Sequence, residues 1–249
     1  MSVLCRALRA AWALALVVAA LGPGARVAAA QSAEAARAVS LKRAVLVVTG
    51  TDPVVGQVLL MEKLLLQNAA AEPYQPARWE ESVVRVRVPK QAVDVSIDSG
   101  PPGADFVRVP TEEGVYAFAA PLPPGEQSIV ISYALPYSGA TSRIAYAPAM
   151  PAQGVQVLLP AAAGPDLQSA SRALKRGTDL TIGSQRYLLL EGSQLAAGAD
   201  AAFELRGLPV AQTAQPGRAL PGGALAELPL VITASLLLAG ALVYGLVQR

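Results

Sequence analysis

Histidine is absent from the 249-residue chain, and cysteine occurs once, as Cys5. A zinc site built from cysteine and histidine cannot form, and a disulfide within one chain needs a second cysteine. Catalysis by a Ser-His-Asp or Cys-His arrangement is excluded as well, because each of these needs an imidazole. Carboxylates are the remaining material for acid–base catalysis, and we predict no bound metal or cofactor.

Charged and aromatic side chains are also scarce. Charged residues make up 15% of the chain and aromatic residues 5%, and 20 Lys and Arg stand against 18 Asp and Glu. A nearly neutral chain lacks the clustered basic surface of a nucleic-acid-binding protein, so no nucleic-acid partner is predicted. The hydrophobic share of 53% instead indicates membrane-directed segments.

Residues 1–30 have the pattern of a secretory signal peptide. Arg6 and Arg9 precede the apolar run 10–21, and a Gly-Pro-Gly break and the small residues 28–30 follow it. This run is shorter than the roughly 20 residues that a bilayer span requires, so cleavage is favoured over a retained N-terminal anchor. Cleavage removes three arginines and no acid, which leaves 17 basic and 18 acidic residues in the mature chain.

Residues 228–247 contain no charged side chain over 20 positions. A helix of that length spans about 30 Å, the thickness of the hydrocarbon core, so we predict one transmembrane helix in contact with the lipid bilayer. The tail 248–249 is then cytoplasmic and the preceding domain is periplasmic or extracellular, at the cell membrane. Residues 209–227 are rich in Pro, Gly and Ala without periodicity, which predicts a flexible stalk.

Between these ends we predict a linker over 31–44 and one domain over 45–208. Short segments of alternating apolar and polar residues recur in the domain, separated by turns rich in Pro and Gly. About ten such segments predict an all-β fold, an antiparallel β-sandwich of the immunoglobulin/fibronectin-like class. The segment 54–68 alternates poorly; a long strand is favoured there over a helix. The other predicted strands are 82–88, 93–97, 106–109, 115–118, 127–134, 143–146, 155–159, 179–182, 186–190 and 202–206.

Two aromatic residues are the candidates for a contact with a partner. Tyr74 and Trp79 lie near a Pro-containing loop and can form an exposed patch, although packing across the edge of the sandwich is the alternative. The adjacent pairs 80–81 and 112–113 are glutamates, and neighbours on a strand point to opposite faces, so neither pair forms a shared catalytic site. No catalytic residue is predicted.

Basic and acidic side chains alternate with valines on two successive predicted strands. Arg85 and Arg87 share the polar face of one strand, and Asp94 and Asp98 share that of the next. If the two strands form a hairpin, we expect ion pairs across it, which are ordinary on an exposed face.

The stretch Pro121–Gly125 (PLPPG) followed by Ile129–Tyr137 (IVISYALPY) is the most distinctive in the chain. It resembles the PxPPG…SYxLPY signature of uncharacterised bacterial membrane-anchored proteins, some labelled carboxypeptidase-regulatory-like. The resemblance extends over roughly 55–206 and implies an extracytoplasmic β-sandwich with a C-terminal anchor, and no activity. From the residues themselves, Pro-Pro-Gly predicts a tight turn that opens a core hairpin.

Three functions are open at this point. The favoured one is a non-enzymatic membrane-tethered module that binds or scaffolds an envelope protein or a membrane complex. A surface hydrolase of glycans with two carboxylates is the second, although a sugar cleft normally holds more aromatic residues. The third is an accessory subunit whose transmembrane helix assembles with a membrane complex.

Overall fold

The computed structural model describes residues 38–99 and 105–210 of the chain. Within these ranges fourteen strands and two short 3₁₀ helices form an all-β structure, as predicted. The helices span Trp79–Glu81 and Ala161–Ala163. The strands are β1 (Val39–Asp52), β2 (Gln57–Asn68), β3 (Arg85–Arg87), β4 (Val93–Ser99), β5 (Phe106–Arg108), β6 (Val115–Phe118), β7 (Gly125–Pro136), β8 (Thr141–Ile144), β9 (Ala152–Pro160), β10 (Asp166–Ser169), β11 (Lys175–Arg176), β12 (Leu180–Ile182), β13 (Gln185–Leu195) and β14 (Phe203–Arg206).

The described strands form one large sheet and two small ones. The large sheet has the order β11-β13-β9-β1-β2-β7-β4, with β12 also paired to β13, and the small sheets have the orders β10-β14-β8 and β3-β6-β5. Every pairing in them is antiparallel except that of β1 with β9. This parallel pair departs from the purely antiparallel prediction. Strand β7 runs in the same direction as β1, because both pair antiparallel with β2. Between β7 and β9 the chain crosses through β8 in another sheet, so β9 can return to the large sheet in that same direction and pair parallel with β1.

One continuous apolar core joins all three sheets. Leu46 and Ile131 project into it from the large sheet, while Phe118 and Phe203 enter from the two small sheets, and all four are fully buried. Because Leu46 and Ile131 lie in one cross-strand row, both small sheets pack against the same face of the large sheet. The domain therefore has two layers, with the large sheet as one of them.

The opposite face of the large sheet is apolar as well. Val47, Met61 and Leu158 form a second buried cluster there, on β1, β2 and β9. Strands with apolar side chains on both faces lose the alternation of a half-exposed strand, which explains the poor pattern of the segment 54–68. The prediction of a strand is confirmed for Gln57–Asn68, and residues 53–56 form the turn before it.

Three local features differ from the sequence predictions. Strand β1 begins at Val39, inside the segment 31–44 predicted as a linker, because Val39 and Leu41 belong to the core. Strands β10 and β11 were not predicted, since they are short and rich in polar residues. The turn at Pro123-Pro124-Gly125 leads from β6 to β7 in a different sheet, so the expected core hairpin is wrong.

The described residues contain no helix that is long and apolar enough to cross a membrane. The predicted signal peptide 1–30, transmembrane helix 228–247 and tail 248–249 lie outside those residues, as does the stalk beyond Val210.

Candidate functional site

Tyr74, one of the two residues predicted to contact a partner, lies inside the protein. Its side chain is 3% exposed, and its backbone pairs with Leu122 in an isolated β-bridge. The phenol oxygen accepts a hydrogen bond from the backbone N–H of Val83 at 3.0 Å and donates one to the carbonyl of Glu81 at 3.4 Å. These bonds hold the loop before β3 against the core.

Trp79 begins the first 3₁₀ helix and is only partly buried. Its ring packs on a small cluster formed by Val109, Val115 and Ala117, which lies apart from the main core. The structure therefore does not bring Tyr74 and Trp79 together at the surface, and Trp79 is the one of the two that keeps part of its side chain exposed. That either residue binds a partner stays a prediction.

Arg85 and Arg87 of β3 pair with Glu112, in the turn between β5 and β6. Arg85 contacts one carboxylate oxygen of Glu112, and Nη2 of Arg87 lies 3.5 Å from the other. The hairpin on which ion pairs with the aspartates of β4 depended does not form, because β3 and β4 belong to different sheets. Glu113 turns away from Glu112 and binds Lys90 at 2.8 Å, so the two adjacent glutamates share no site.

Glu62 is the described charged residue that lies deepest in the core. It lies in the middle of β2, opposite Leu46 of β1 and Ile131 of β7, and is 2% exposed. Its Oε1 accepts a hydrogen bond of 2.7 Å from the phenol of Tyr146, in the connection between β8 and β9. Its Oε2 and the phenol oxygen of Tyr133 on β7 are buried without a hydrogen-bond partner. We call these three residues the Glu62 cluster: Glu62, Tyr133 and Tyr146.

Burial raises the pKa of Glu62 from 4.5 to about 7, although the hydrogen bond from Tyr146 lowers it in part. Burial also raises the pKa of both tyrosines well above 10, and the nearby Glu62 adds to that rise. Removing water disfavours the charged form of an acid, and no cation faces this carboxyl to compensate within the described part of the chain. Glu62 therefore keeps its proton to a higher pH than an exposed glutamate does.

The Glu62 cluster consists of groups that can bind and release a proton. A neutral carboxyl with a pKa near 7 and two phenols can hold and exchange a proton, which is the property of a catalytic acid. A two-acid hydrolase, however, needs two carboxylates that flank a substrate, and the groups that act on Glu62 are tyrosines. No three Cys, His, Asp or Glu side chains are grouped for metal binding among the residues that the structure describes. The cluster lies inside the core, and each of its three side chains is at most 3% exposed.

The sequence contains one indication that a charged side chain of β2 faces the core, but it does not show which of two residues that is. Glu62 and Lys63 stand side by side in the apolar run of β2. Because successive side chains of a strand alternate between its faces, one of the two charges had to face the core. Lys63 is on the opposite face, and partial burial there lowers its pKa from 10.5. The tyrosine that binds Glu62 lies 84 positions away, so no local pattern indicates it.

Comparisons with known proteins show limited likeness. One solved structure, a mutant of the M1 zinc metallopeptidase of Deinococcus radiodurans, matches 68% of this chain and 42% of its own length at a TM-score of 0.39 and 14% identity. The mutant of the same enzyme bound to a Tyr-Ser-Ala substrate matches 76% of this chain and 51% of its own, also at 0.39 and 14%.

The chain thus spans about half or less of the length of these peptidases. At this TM-score and identity the likeness assigns neither a family nor an activity to the chain. No family model and no curated protein matches the sequence.

Proposed function

We propose that the protein is a non-enzymatic, membrane-tethered module that binds or scaffolds a protein of the cell envelope or a membrane complex. In this proposal residues 1–30 direct export, residues 228–247 anchor the chain in the bilayer, and the domain between them is extracytoplasmic. The C-terminal residues 248–249 are then cytoplasmic.

The enclosure of Glu62 carries the non-enzymatic part of this proposal. Burial raises the pKa of its carboxyl to about 7, which is suited to a catalytic acid. The side chain is nevertheless 2% exposed and packs inside the core. Other acidic groups engage basic partners at the surface, as Glu112 and Glu113 do, and Asp179 binds Arg186 at 2.6 Å. These arrangements favour a stable binding domain over an open catalytic cleft.

The fold supports a β-sandwich as the finer description of the domain, because two layers of sheet enclose one core. An immunoglobulin/fibronectin-like domain has two antiparallel sheets, whereas the described residues form three sheets with one parallel pair. We therefore propose a sandwich with a topology of its own. The flanking segments of the chain enter and leave it at Val39 and Leu208, which are both buried.

Trp79 is the residue at which we expect a protein partner. Tryptophan and arginine are enriched among the residues that dominate protein interfaces, and Trp79 lies on the small sheet that carries Arg85 and Arg87. Its ring is already held by Val109 and Val115, so little side-chain entropy is lost when a partner covers it.

In-cell crosslinking of the full chain, followed by mass spectrometry, tests the proposal. We expect a reproducible envelope partner, weaker recovery of it with Trp79→Ala, and unchanged recovery with the control Gln168→Ala on the other small sheet. The partner should also be retained when 228–247 is replaced by an unrelated membrane anchor. Loss of the partner after that exchange would favour an accessory subunit that assembles through its helix. The absence of any partner, together with turnover of a glycan or peptide by the protein, would refute the proposal.

A further inference from the structure

Four valine side chains are exposed in the described part of the chain, and they lie towards one end of the large sheet. Val54 is 64% exposed and Val55 61%, both in the turn between β1 and β2. Val93, 40% exposed, begins β4 and pairs with Ala134, close to the end of β7. Val210, 68% exposed, is the last described residue before the predicted stalk.

Tyr137 connects the turn to the point where the chain leaves the domain. Its backbone N–H donates a hydrogen bond to the carbonyl of Gly56 at 2.7 Å, directly after the two valines. Its phenol donates one to the carbonyl of Pro209 at 2.8 Å, directly before Val210. One residue therefore holds the valine turn and the exit of the chain side by side.

The turn itself is well defined. Oδ1 of Asp52 accepts hydrogen bonds from the backbone N–H groups of Val54 at 2.9 Å and Val55 at 3.3 Å. Gly56 has a φ of +67°, a conformation that closes the turn and that glycine adopts at little cost. The backbone polar groups of the turn are thus partly satisfied within the domain, while its two apolar side chains point away from it.

We propose that this end of the domain lies on the lipid bilayer, with the side chains of Val54 and Val55 inserted at the interface and Val93 and Val210 close to it. We call this surface the valine end. This inference rests on the proposed membrane anchor, and it adds an orientation: the large sheet stands upright, with its valine end towards the lipid.

The position of the exit favours lipid as the occupant. Only the 17 residues 211–227 separate Val210 from the predicted membrane segment. A flexible chain of that length has a root-mean-square extension of about 23 Å, so the valine end is held at high local concentration near the bilayer. Lipid accepts small apolar side chains at a turn without a complementary pocket, whereas a protein partner would need one. Asp52 and Asp94 lie near this end, and Lys90 there is paired with Glu113, so positive charge does not predominate and we expect no gain in binding from anionic lipid.

Fluorescence quenching in vesicles tests this orientation with the full chain. The protein is reconstituted in phosphatidylcholine vesicles with Cys5→Ser, and bimane is attached to Val55→Cys or, as a control, to Ala71→Cys. Ala71 is exposed in the loop after β2, at the opposite end of that strand. The twelve residues of β2 separate the two sites by roughly 40 Å. We expect nitroxide lipids to quench the label at position 55 and aqueous iodide to quench the label at position 71.

A second reporter tests the two valines directly. With bimane at Val93→Cys, the double substitution Val54→Ser and Val55→Ser should weaken the docked state about tenfold, because two exposed apolar side chains no longer enter lipid. Quenching of this label by nitroxide lipids should fall accordingly. The double substitution leaves the buried core unchanged, so circular dichroism should be unaltered.

The outcomes separate the anchor from the orientation. If the protein floats with the vesicles but the labels at 55 and 71 are equally open to iodide, the anchor stands and the valine end is not docked. Protection of position 55 from iodide without quenching by nitroxide lipids would point to a contact between protein copies and would overturn the lipid proposal. A protein that does not float with the vesicles refutes the anchor itself, and the orientation with it.

Discussion

Replacing Glu62 by glutamine should remove most of the pH dependence of stability between pH 5 and pH 8. The chain has no histidine, and Glu62 is the described side chain whose pKa has moved into this range. Its pKa is about 7 in the folded protein, against 4.5 as the ordinary value. The folded protein therefore binds more protons than the unfolded chain between these values, so the free energy of unfolding falls as pH rises.

The size of the effect follows from the same two values. A rise in pKa from 4.5 to about 7 corresponds to about 3 kcal/mol in the free energy of unfolding, and this stability is lost as the pH rises past the pKa of the folded protein. Of this, about 2.5 kcal/mol should be lost between pH 5 and pH 8. For a domain of this size the change corresponds to about 5–10 °C in the melting temperature.

Thermal unfolding of the full chain in detergent, followed by far-ultraviolet circular dichroism at pH 5, 6, 7 and 8, measures the effect. Glu62→Gln keeps an oxygen that accepts the hydrogen bond from Tyr146 and cannot ionise, so its profile should be flat. The variant should match the parent near pH 5 and exceed it at pH 8. Stopping at pH 8 limits the contribution of Lys63, whose lowered pKa acts with the opposite sign.

A surface glutamate provides the matched control. Lys90 holds the pKa of Glu113 below 4.5, so Glu113→Gln should leave the slope between pH 5 and pH 8 as it is in the parent. Parallel profiles for the parent and Glu62→Gln would refute the reasoning, because the buried carboxyl would then have the same protonation in both states of the chain.

Three further substitutions test the core and its turns by urea unfolding. Asn68→Ala should lower the free energy of unfolding by about 2–4 kcal/mol, because the buried side-chain amide donates hydrogen bonds to the carbonyls of Glu72 and Leu122 and accepts one from the N–H of Ala70. Gln67→Ala is the control, and an equal loss of stability in the two variants would contradict this reasoning. Gly114→Ala should destabilise strongly, since the new Cβ would lie 2.5 Å from the carbonyl oxygen of Val88 at a φ of +72°, whereas Gly139→Ala meets no atom within 4 Å and should be tolerated. Phe203→Ala should cost about 3–5 kcal/mol as a fully buried ring, and a cost below 1 kcal/mol would show that its site collapses.

The sequence predicted those parts of the fold that depend on neighbouring residues. The alternation of apolar and polar residues predicted most of the strands, and in two of the alternating segments the apolar side chains Val84, Val86, Ile129 and Ile131 are buried in the core. The sequence did not show which strands pair within each sheet, because that pairing depends on contacts between segments far apart in the chain. The same holds for the Glu62 cluster, whose members come from β2, β7 and the connection after β8.

The pairing of β1 with β9 has a consequence for the order of folding. Leu41 pairs with Ala152, 111 positions later in the chain, although β1 and β2 are joined by a four-residue turn. Contacts of such long range form slowly, because the loop that they close costs much entropy before any contact repays it. As the chain emerges N-terminus first, the hairpin of β1 and β2 has an unpaired edge and an apolar face until β9 arrives. A newly made chain is therefore most prone to aggregation in that interval, and a chaperone that covers the open edge of β1 would act there.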